Sequence, residues 1–289
     1  MKKTLTIFTP TFNRAGELAR VFESLKAQEN RDFCWLVVDD GSTDNTGSFV
    51  KRCASEADFP VEYVYENNGG KMRAHNFGTQ IAESELFVCL DSDDYFTKTA
   101  VNDILEAWNK AEDREHLAGI IAHKGRDESH VLFDAVFPES GRQTLSGLYR
   151  KGFKGETTLV FRTEVIREYL FPEIPDERYV PEDVVYDEIE ENYDFLVYDR
   201  ILTICELKES GYSDSVEKLR RENPTAWYLY YYRRGRRAPF SVLKLKYLSH
   251  CLRFKKAAEK TWTEQYALSI PLTILGLPGA LLLMICGKL

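Results

Sequence analysis

The sequence predicts an α/β fold, a mixed and mostly parallel central sheet flanked by helices, with a helical extension at its C-terminal end. Three observations predict it. Between Leu5 and Ala122, apolar runs of strand length alternate with segments whose apolar residues recur at the i, i+3, i+4, i+7 spacing of a helix. Several runs, Leu86-Phe87-Val88-Cys89-Leu90 above all, are apolar at every position, as strands covered on both faces must be. From Arg233 onward acidic residues nearly vanish, so the end of the chain is built for different neighbours. Strand and helix in alternation make right-handed βαβ units, and 289 residues suffice for one large domain of this kind plus an appendage.

Leu5 to Thr9 reads as the first strand. The lysines before it give the N-terminus a superficial likeness to a signal peptide, but the apolar run stops at Phe8 and Pro10 follows. Glu17 to Gln28 is a helix with Leu18, Val21, Phe22 and Leu25 on one face, Phe33 to Val38 a buried strand, and Thr46 to Ala57 the next helix. Val61 to Tyr65 is a third strand. After a loop through Gly69-Gly70-Lys71, a helix from about Met72 to Ala82 is expected to turn Ala74, Phe77, Gly78 and Ile81 inward. Leu86 to Leu90 follows as a strand, then a helix marked by Val101, Ile104, Leu105 and Trp108, and Gly119 to Ala122 returns to the sheet. Asp134 to Gly147 carries turn residues and no clear period. Beyond it, Thr157 to Phe161 reads as a strand, Val165 to Tyr169 as a short helix, and Asp194 to Leu207 as a strand pair. Six cysteines (Cys34, Cys53, Cys89, Cys205, Cys251, Cys286) form no Cys-x-x-Cys pair, and several lie in apolar segments, which suits a reducing, cytosolic setting.

The chemistry collects in loops that follow strands. Leu86 to Leu90 ends in Asp91-Ser92-Asp93-Asp94, and in an open α/β sheet ligands gather outside the carboxyl ends of the strands. Asp91 and Asp93 alternate, so both can reach a hard divalent ion, whose remaining positions are left to water and phosphate oxygens. An acidic turn or a helix cap is the plainer account of this stretch alone. The first strand delivers Thr9-Pro10-Thr11-Phe12-Asn13-Arg14 and the second Asp39-Asp40-Gly41-Ser42, and parallel strands put all three loops on one edge. Ordinary turn chemistry explains any one of them; it explains the three together less well, because a stabilising turn needs one acid and not a self-repelling group. Gly70 and Lys71 add a flexible backbone and a cation before a helix, an arrangement that can approach phosphate oxygens. No Walker A spacing and no Gly-x-Gly-x-x-Gly is present, which sets aside the P-loop and dinucleotide classes.

In these residues the chain resembles the family 2 glycosyltransferases, which have the Rossmann-like GT-A fold. The matching residues are Thr9-Pro10-Thr11-Phe12-Asn13-Arg14, Val37-Val38-Asp39-Asp40-Gly41-Ser42-Thr43-Asp44, Asn68-Gly69-Gly70-Lys71 with Ala74 and Asn76, and Leu90-Asp91-Ser92-Asp93-Asp94. The resemblance covers about residues 3 to 215 and is densest over the first hundred. It implies a catalytic domain over 1–215, with a nucleotide-sugar-binding half at 1–100 and an acceptor-side half at 101–215, and an extension over 216–289. It further implies that Thr9 and Asp40 hold the nucleotide, Asp40 receiving the base edge, usually uracil. Asp93 would ligate Mg2+ or Mn2+ on the donor diphosphate, with Asp91, a second metal candidate, nearer the ribose and sugar. Pro10, Thr11, Asn13, Arg14, Gly70, Lys71, Asn76 and Ser92 line the donor in this reading.

A second acidic group, Glu182-Asp183, stands after Pro181 where a helix begins, and first-turn acids favoured by the helix dipole account for it equally well. Many family members carry such a pair below the donor sugar, and in the inverting ones the Asp is the general base. That implies Asp183 as base, with Glu182 the second candidate. An acceptor hydroxyl is a poor nucleophile near neutral pH, so a carboxylate must take its proton as it attacks the anomeric carbon. Glu156, just before the strand at Thr157, reads equally as an acceptor contact or as part of a surface turn. The expected activity is inverting transfer from a UDP-sugar to a glycan or a polyprenyl-diphosphate-linked acceptor in bacterial cell-surface polysaccharide or glycolipid assembly.

Glu209-Ser210-Gly211-Tyr212-Ser213 resembles the segment that closes the catalytic domain in many relatives. After it, eleven Lys and Arg from Arg233 onward stand against Glu259 and Glu264, a balance of +9 that leaves about −17 on the rest of a chain whose net charge is −8. These cations interleave with aromatics such as Trp227 and Tyr230 to Tyr232, and residues 265–287 carry no charge. The combination favours an anionic membrane over nucleic acid as the partner and places the protein on the cytoplasmic face of the cell membrane. Pro271 and Pro278 argue for a kinked or re-entrant insertion rather than a straight span; an amphipathic helix packed on protein, or in a homo-oligomer, is the alternative. Two other function classes use similar features. A haloacid-dehalogenase-like phosphoryl-transfer enzyme also has an apolar strand ending Asp-x-Asp, but Tyr95 stands where its small hydroxyl residue would be. A non-catalytic sugar-nucleotide-binding protein would have no need of Asp183.

Overall fold

The structure, a computed structural model, describes residues 2–205 and 212–285. Leu207, the Glu209-Ser210-Gly211 part of the expected closing segment, and the last two residues of 265–287 lie outside the described residues. The chain divides into two compact units, residues 1–170 with 188–208, and residues 171–187 with 209–289.

The first unit alternates as the apolar pattern requires: β1 (Leu5–Thr11), α1 (Leu18–Lys26), β2 (Phe33–Asp39), α2 (Thr46–Glu56), β3 (Val61–Tyr65), α3 (Lys71–Ile81), β4 (Leu86–Cys89), β5 (Tyr95–Phe96) and α4 (Ala100–Lys110). Then come β6 (Leu117–Gly125), β7 (Gly141–Gln143), α5 (Leu145–Arg150), β8 (Thr157–Arg162), α6 (Thr163–Glu168), α7 (Asp183–Ile189), which straddles the unit boundary, and β9 (Asp194–Ile204). The sheet order is β3-β2-β1-β4-β8-β6-β9-β5, with β7 on β9. β3, β2, β1 and β4 are parallel throughout. β8 inserts antiparallel between β4 and β6, so β6 runs parallel to β4 again and ends on the same edge.

Leu18, Val21, Phe22 and Leu25 are all buried, as their spacing predicts, with Phe22 stacked on Trp35 at 5.9 Å between centroids. Val101, Ile104, Leu105 and Trp108 bury the matching face of α4. The inward face of α3 is a correction. Phe77 and Ile81 are only half-buried, and His75 and Thr79 turn inward beside Ala74 and Gly78. The His75 ring packs edge-on against Phe8 and Phe87, and a Cβ at Gly78 would fall 2.5 Å from the Phe8 ring. The expected strand pair at Asp194 to Leu207 is one strand, β9, whose register with β6 shifts around His123. β5, β7 and α5 were not legible in the sequence: two- and three-residue strands and a six-residue helix are too short to show a period.

The second unit holds α8 (Tyr212–Glu222), α9 (Pro224–Arg237), α10 (Val242–Lys255), α11 (Lys260–Gln265) and α12 (Ile270–Ile285). Residues 171–187, which the sequence assigns to the 1–215 domain, fold with these helices. The Glu177 carboxylate accepts from the N–H groups of Thr225 (2.7 Å) and Ala226 (2.8 Å), capping α9, and Asn223 Oδ1 accepts from those of Arg178 and Tyr179 at 2.9 Å. Trp227, Tyr228, Tyr231 and Tyr232 on α9 pack with Cys251 and Phe254 on α10. α12 lies on α10 through small residues: a Cβ at Gly276 would stand 3.0 Å from the Leu248 backbone, and Ser249 Oγ donates to the Gly276 carbonyl at 3.1 Å. Among the described residues no helix is long and apolar enough to cross a membrane.

Candidate functional site

The three loops expected on one edge meet there. β1 and β2 end level, Thr11 opposite Asp39, and Asn13 stitches their loops together. Its N–H donates to Ser42 Oγ at 2.8 Å, and its Oδ1 accepts from the N–H groups of Thr43 (2.8 Å) and Asp44 (3.3 Å). Asn13 sits at φ 53°, a left-handed conformation that Asn tolerates better than most residues. Gly41 is required for a different reason: at φ +87° a Cβ would also lie 2.8 Å from the Asn68 backbone nitrogen.

Asp40 ties the second loop to the Gly69-Gly70 loop. Its carboxylate accepts from the N–H groups of Gly69 (2.7 Å) and Gly70 (2.8 Å) and from Asn68 Nδ2 (3.1 Å). An ionised carboxylate offers about four acceptor sites, so the three donors leave room for one more, such as a base N–H. Asp39 is turned beneath it, accepting from Ser42 N–H (2.8 Å) and Tyr63 Oη (2.7 Å). Thr9, expected to hold the nucleotide, is fully buried, and its hydroxyl accepts from the Trp35 indole at 3.0 Å. Two residues on, Thr11 Oγ1 is buried without a hydrogen-bond partner, the kind of group a bound ligand satisfies. Pro10 lies between them on the strand, and Asn76 is buried on α3.

The turn after β4 places each acid against a cation. Lys71, the first residue of α3, contacts Asp91 at 2.8 Å, Arg14 reaches Asp93 at 3.3 Å, and Lys124 on β6 meets Asp94 at 2.7 Å. Ser92 is half-buried between them. Burial pushes the Asp91 carboxyl up, but Lys71 and Lys124 outweigh it and hold it at about 2. Burial likewise raises Asp94, while Lys124, which burial alone would lower, is raised by Asp94 and Asp91. Sequence reasoning missed Lys124. Its signal was a lysine closing an apolar strand, and only the antiparallel insertion of β8 reveals that this strand ends beside Asp94.

Asp93 is the residue that suits a divalent ion. Its side chain is 37% exposed on a turn, and a hard carboxylate oxygen there matches Mg2+ or Mn2+, which take one or two carboxylates plus phosphate oxygens. Asp91, closer to its lysine, is the less available of the two.

In the second unit Asp183 is the first residue of α7, and Arg234 on α9 binds it at 3.1 Å while holding Asp187 at 2.8 Å. Arg234 also donates to Tyr230 Oη at 2.7 Å, so the guanidinium is fixed from three sides. Burial raises the Asp183 carboxyl above the ordinary range, Arg234 opposes this, and Asp187 and Glu182 add to it. Glu182 is exposed on the turn before the helix, and Glu156, exposed before β8, accepts from Lys124 N–H through its carbonyl at 3.3 Å. Arg234 had no signal beyond its place in a basic run.

A family model described as "Glycosyl transferase family 2" matches residues 6–170. The teichoic acid poly(glycerol phosphate) polymerase of Staphylococcus epidermidis is 26% identical over 168 residues, 57% of this chain and 23% of that protein. The poly(ribitol-phosphate) beta-N-acetylglucosaminyltransferase TarS of Staphylococcus aureus is 26% identical over 172 residues, 58% of this chain and 29% of that one. The chain thus spans well under half the length of these curated relatives. Among solved structures, S. aureus TarS 1–349 in complex with UDP-GlcNAc superposes with a TM-score of 0.62 at 18% identity, covering 95% of this chain and 79% of that one. The mannosyltransferase PcManGT of Pyrobaculum calidifontis, in complex with GDP-Man and Mn2+, gives 0.58 at 17% identity over 98% and 81%. These two likenesses show the GT-A fold.

Proposed function

Since the chain belongs to glycosyl transferase family 2, we propose that it transfers a sugar from a UDP-sugar to a hydroxyl of a glycan or polyprenyl-diphosphate-linked acceptor, with inversion, in bacterial cell-surface polysaccharide or glycolipid assembly. The observation that carries this reading is the Asp91–Asp94 turn. Its carboxylates are delivered by β4 to the edge where Lys71 and Arg14 converge, a place suited to a diphosphate flanked by cations. The solved TarS complex with UDP-GlcNAc supports the donor class, and the poly(ribitol-phosphate) on which TarS acts supports a polymeric acceptor.

In this reading Asp40, Thr11 and the Gly69-Gly70 backbone receive the nucleoside end, and Lys71, Arg14 and the N-terminus of α3 face the diphosphate. Asp93 would hold Mg2+ or Mn2+, which offsets the charge gained by the departing diphosphate. Asp183 takes the acceptor proton as the hydroxyl oxygen bonds to the anomeric carbon, and the bond to the β-phosphate oxygen breaks with its electron pair leaving on UDP. One displacement from an α-linked donor yields a β-linkage. Burial suits Asp183 to this work, because a raised carboxyl is a better base than an ordinary one.

UDP release against a panel of UDP-sugars identifies the donor. Asp183→Asn is expected to bind UDP normally and lose about 10²-fold or more in transfer, and a variant turning over at the wild-type rate would disqualify the base. Asp93→Ala should abolish metal-dependent UDP binding; unchanged titrations with Mg2+ and Mn2+ remove its metal role.

A further inference from the structure

The α9–α10 turn presents exposed apolar residues flanked in sequence by cations. Pro239 ends α9, and Ser241 caps α10 by accepting from Lys244 N–H at 3.2 Å. Lys244 Nζ donates to the carbonyls of Arg236 (3.1 Å) and Ala238 (2.7 Å), closing the end of α9. The turn so fixed points Phe240, Val242 and Leu243 outward, 79%, 84% and 47% exposed. Arg236, Arg237, Lys244 and Lys246 flank them, and no Asp or Glu occurs from Asn223 to Ala258. In the same unit α12 turns Gly276 and Ala280 inward and leaves Ile270, Ile274, Leu277 and Leu281 exposed at i, i+4, i+7 and i+11.

Large apolar side chains on a shaped turn cost free energy in water, and the cations around them select what covers them. A second copy of the same tip would bring like charges together. An anionic bilayer offers acyl chains to the apolar residues and phosphates to the cations in the order in which the turn presents them. We propose that the α9–α10 tip docks on an anionic lipid bilayer, with Phe240, Val242 and Leu243 entering the acyl boundary and Arg236, Arg237 and Lys246 meeting the lipid phosphates. The cytoplasmic leaflet, which carries the anionic lipid, is then the surface on which the enzyme works. The docking stands on the second unit's surface and does not depend on the catalytic reading.

The test is co-sedimentation of the full chain with vesicles of phosphatidylcholine, with and without phosphatidylglycerol. Binding is expected only with phosphatidylglycerol and is expected to weaken with salt. Phe240→Glu with Val242→Glu should lower it at least about tenfold, and Lys246→Glu about fivefold. Both variants should keep wild-type circular dichroism and UDP titration, which separates loss of docking from loss of fold or donor binding. Equal binding to both vesicles, or double-variant binding at the wild-type level, overturns the proposal. So does a chain that ignores vesicles and instead forms a dimer, by light scattering, that the double variant dissolves.

Discussion

Arg234 is the residue whose role the sequence hid most completely, because an arginine in the run Arg233-Arg234-Gly235-Arg236-Arg237 looks like its neighbours. The structure separates it from them by giving it two carboxylates and a phenol. Burial raises Asp183 and Arg234 lowers it, so removing the guanidinium raises Asp183 further. A base must be ionised to act, and its activity falls as pH drops through its pKa. Arg234→Gln should therefore move the acid limb of kcat/KM to higher pH, with the loss smallest in alkaline buffer, while Arg234→Lys should restore much of the wild-type profile. A pH-independent loss would reduce Arg234 to a structural role. Lys124 makes the same point in the first unit. Lys124→Met leaves buried Asp94 without its cation and should cost about 3–5 kcal/mol in urea denaturation, whereas Lys124→Met with Asp94→Leu should recover most of that stability.

The elements that were legible are those with a long period or an unbroken apolar run. α1 and α4 each bury the face that their spacing predicts, and β1 to β4 lie where the runs place them, to within two residues at their ends. α3 departs because Phe8 and Phe87 already fill the space over the sheet, so a glycine and a histidine edge fit where a phenylalanine face was expected. Loops matter more for the site. Gly41 holds a left-handed turn against the Asn68 backbone, and Asp40 draws in the Gly69-Gly70 loop from there. Gly41→Ala should cost at least about 1 kcal/mol and weaken UDP binding by calorimetry more than Gly16→Ala, where an added Cβ meets nothing within 4 Å. Equal effects of the two would show that the loop does not shape the nucleotide end.

At the scale of the whole molecule, each unit is built around its own core, and in the proposed function the residues assigned to the nucleotide belong to the first unit and the candidate base to the second. Tyr231→Ala, in the aromatic core under α9, should slow transfer while leaving the Kd for UDP within about twofold; equal losses in both would argue against this division of work. By itself the sequence determined the βαβ rhythm, the four parallel strands, the loops at their carboxyl ends and the charge contrast of the last part of the chain. All of these follow from local period and composition, which a linear chain carries in full. Only the tertiary structure decided that the Thr9 hydroxyl meets the Trp35 indole and that residues 171–187 fold with the C-terminal helices. It alone put Lys124 beside Asp94 and Arg234 beside Asp183. Those depend on which strands pair, in which direction, and which distant side chains meet. Such pairings are chosen by the packing of the whole chain, and no residue spacing records them.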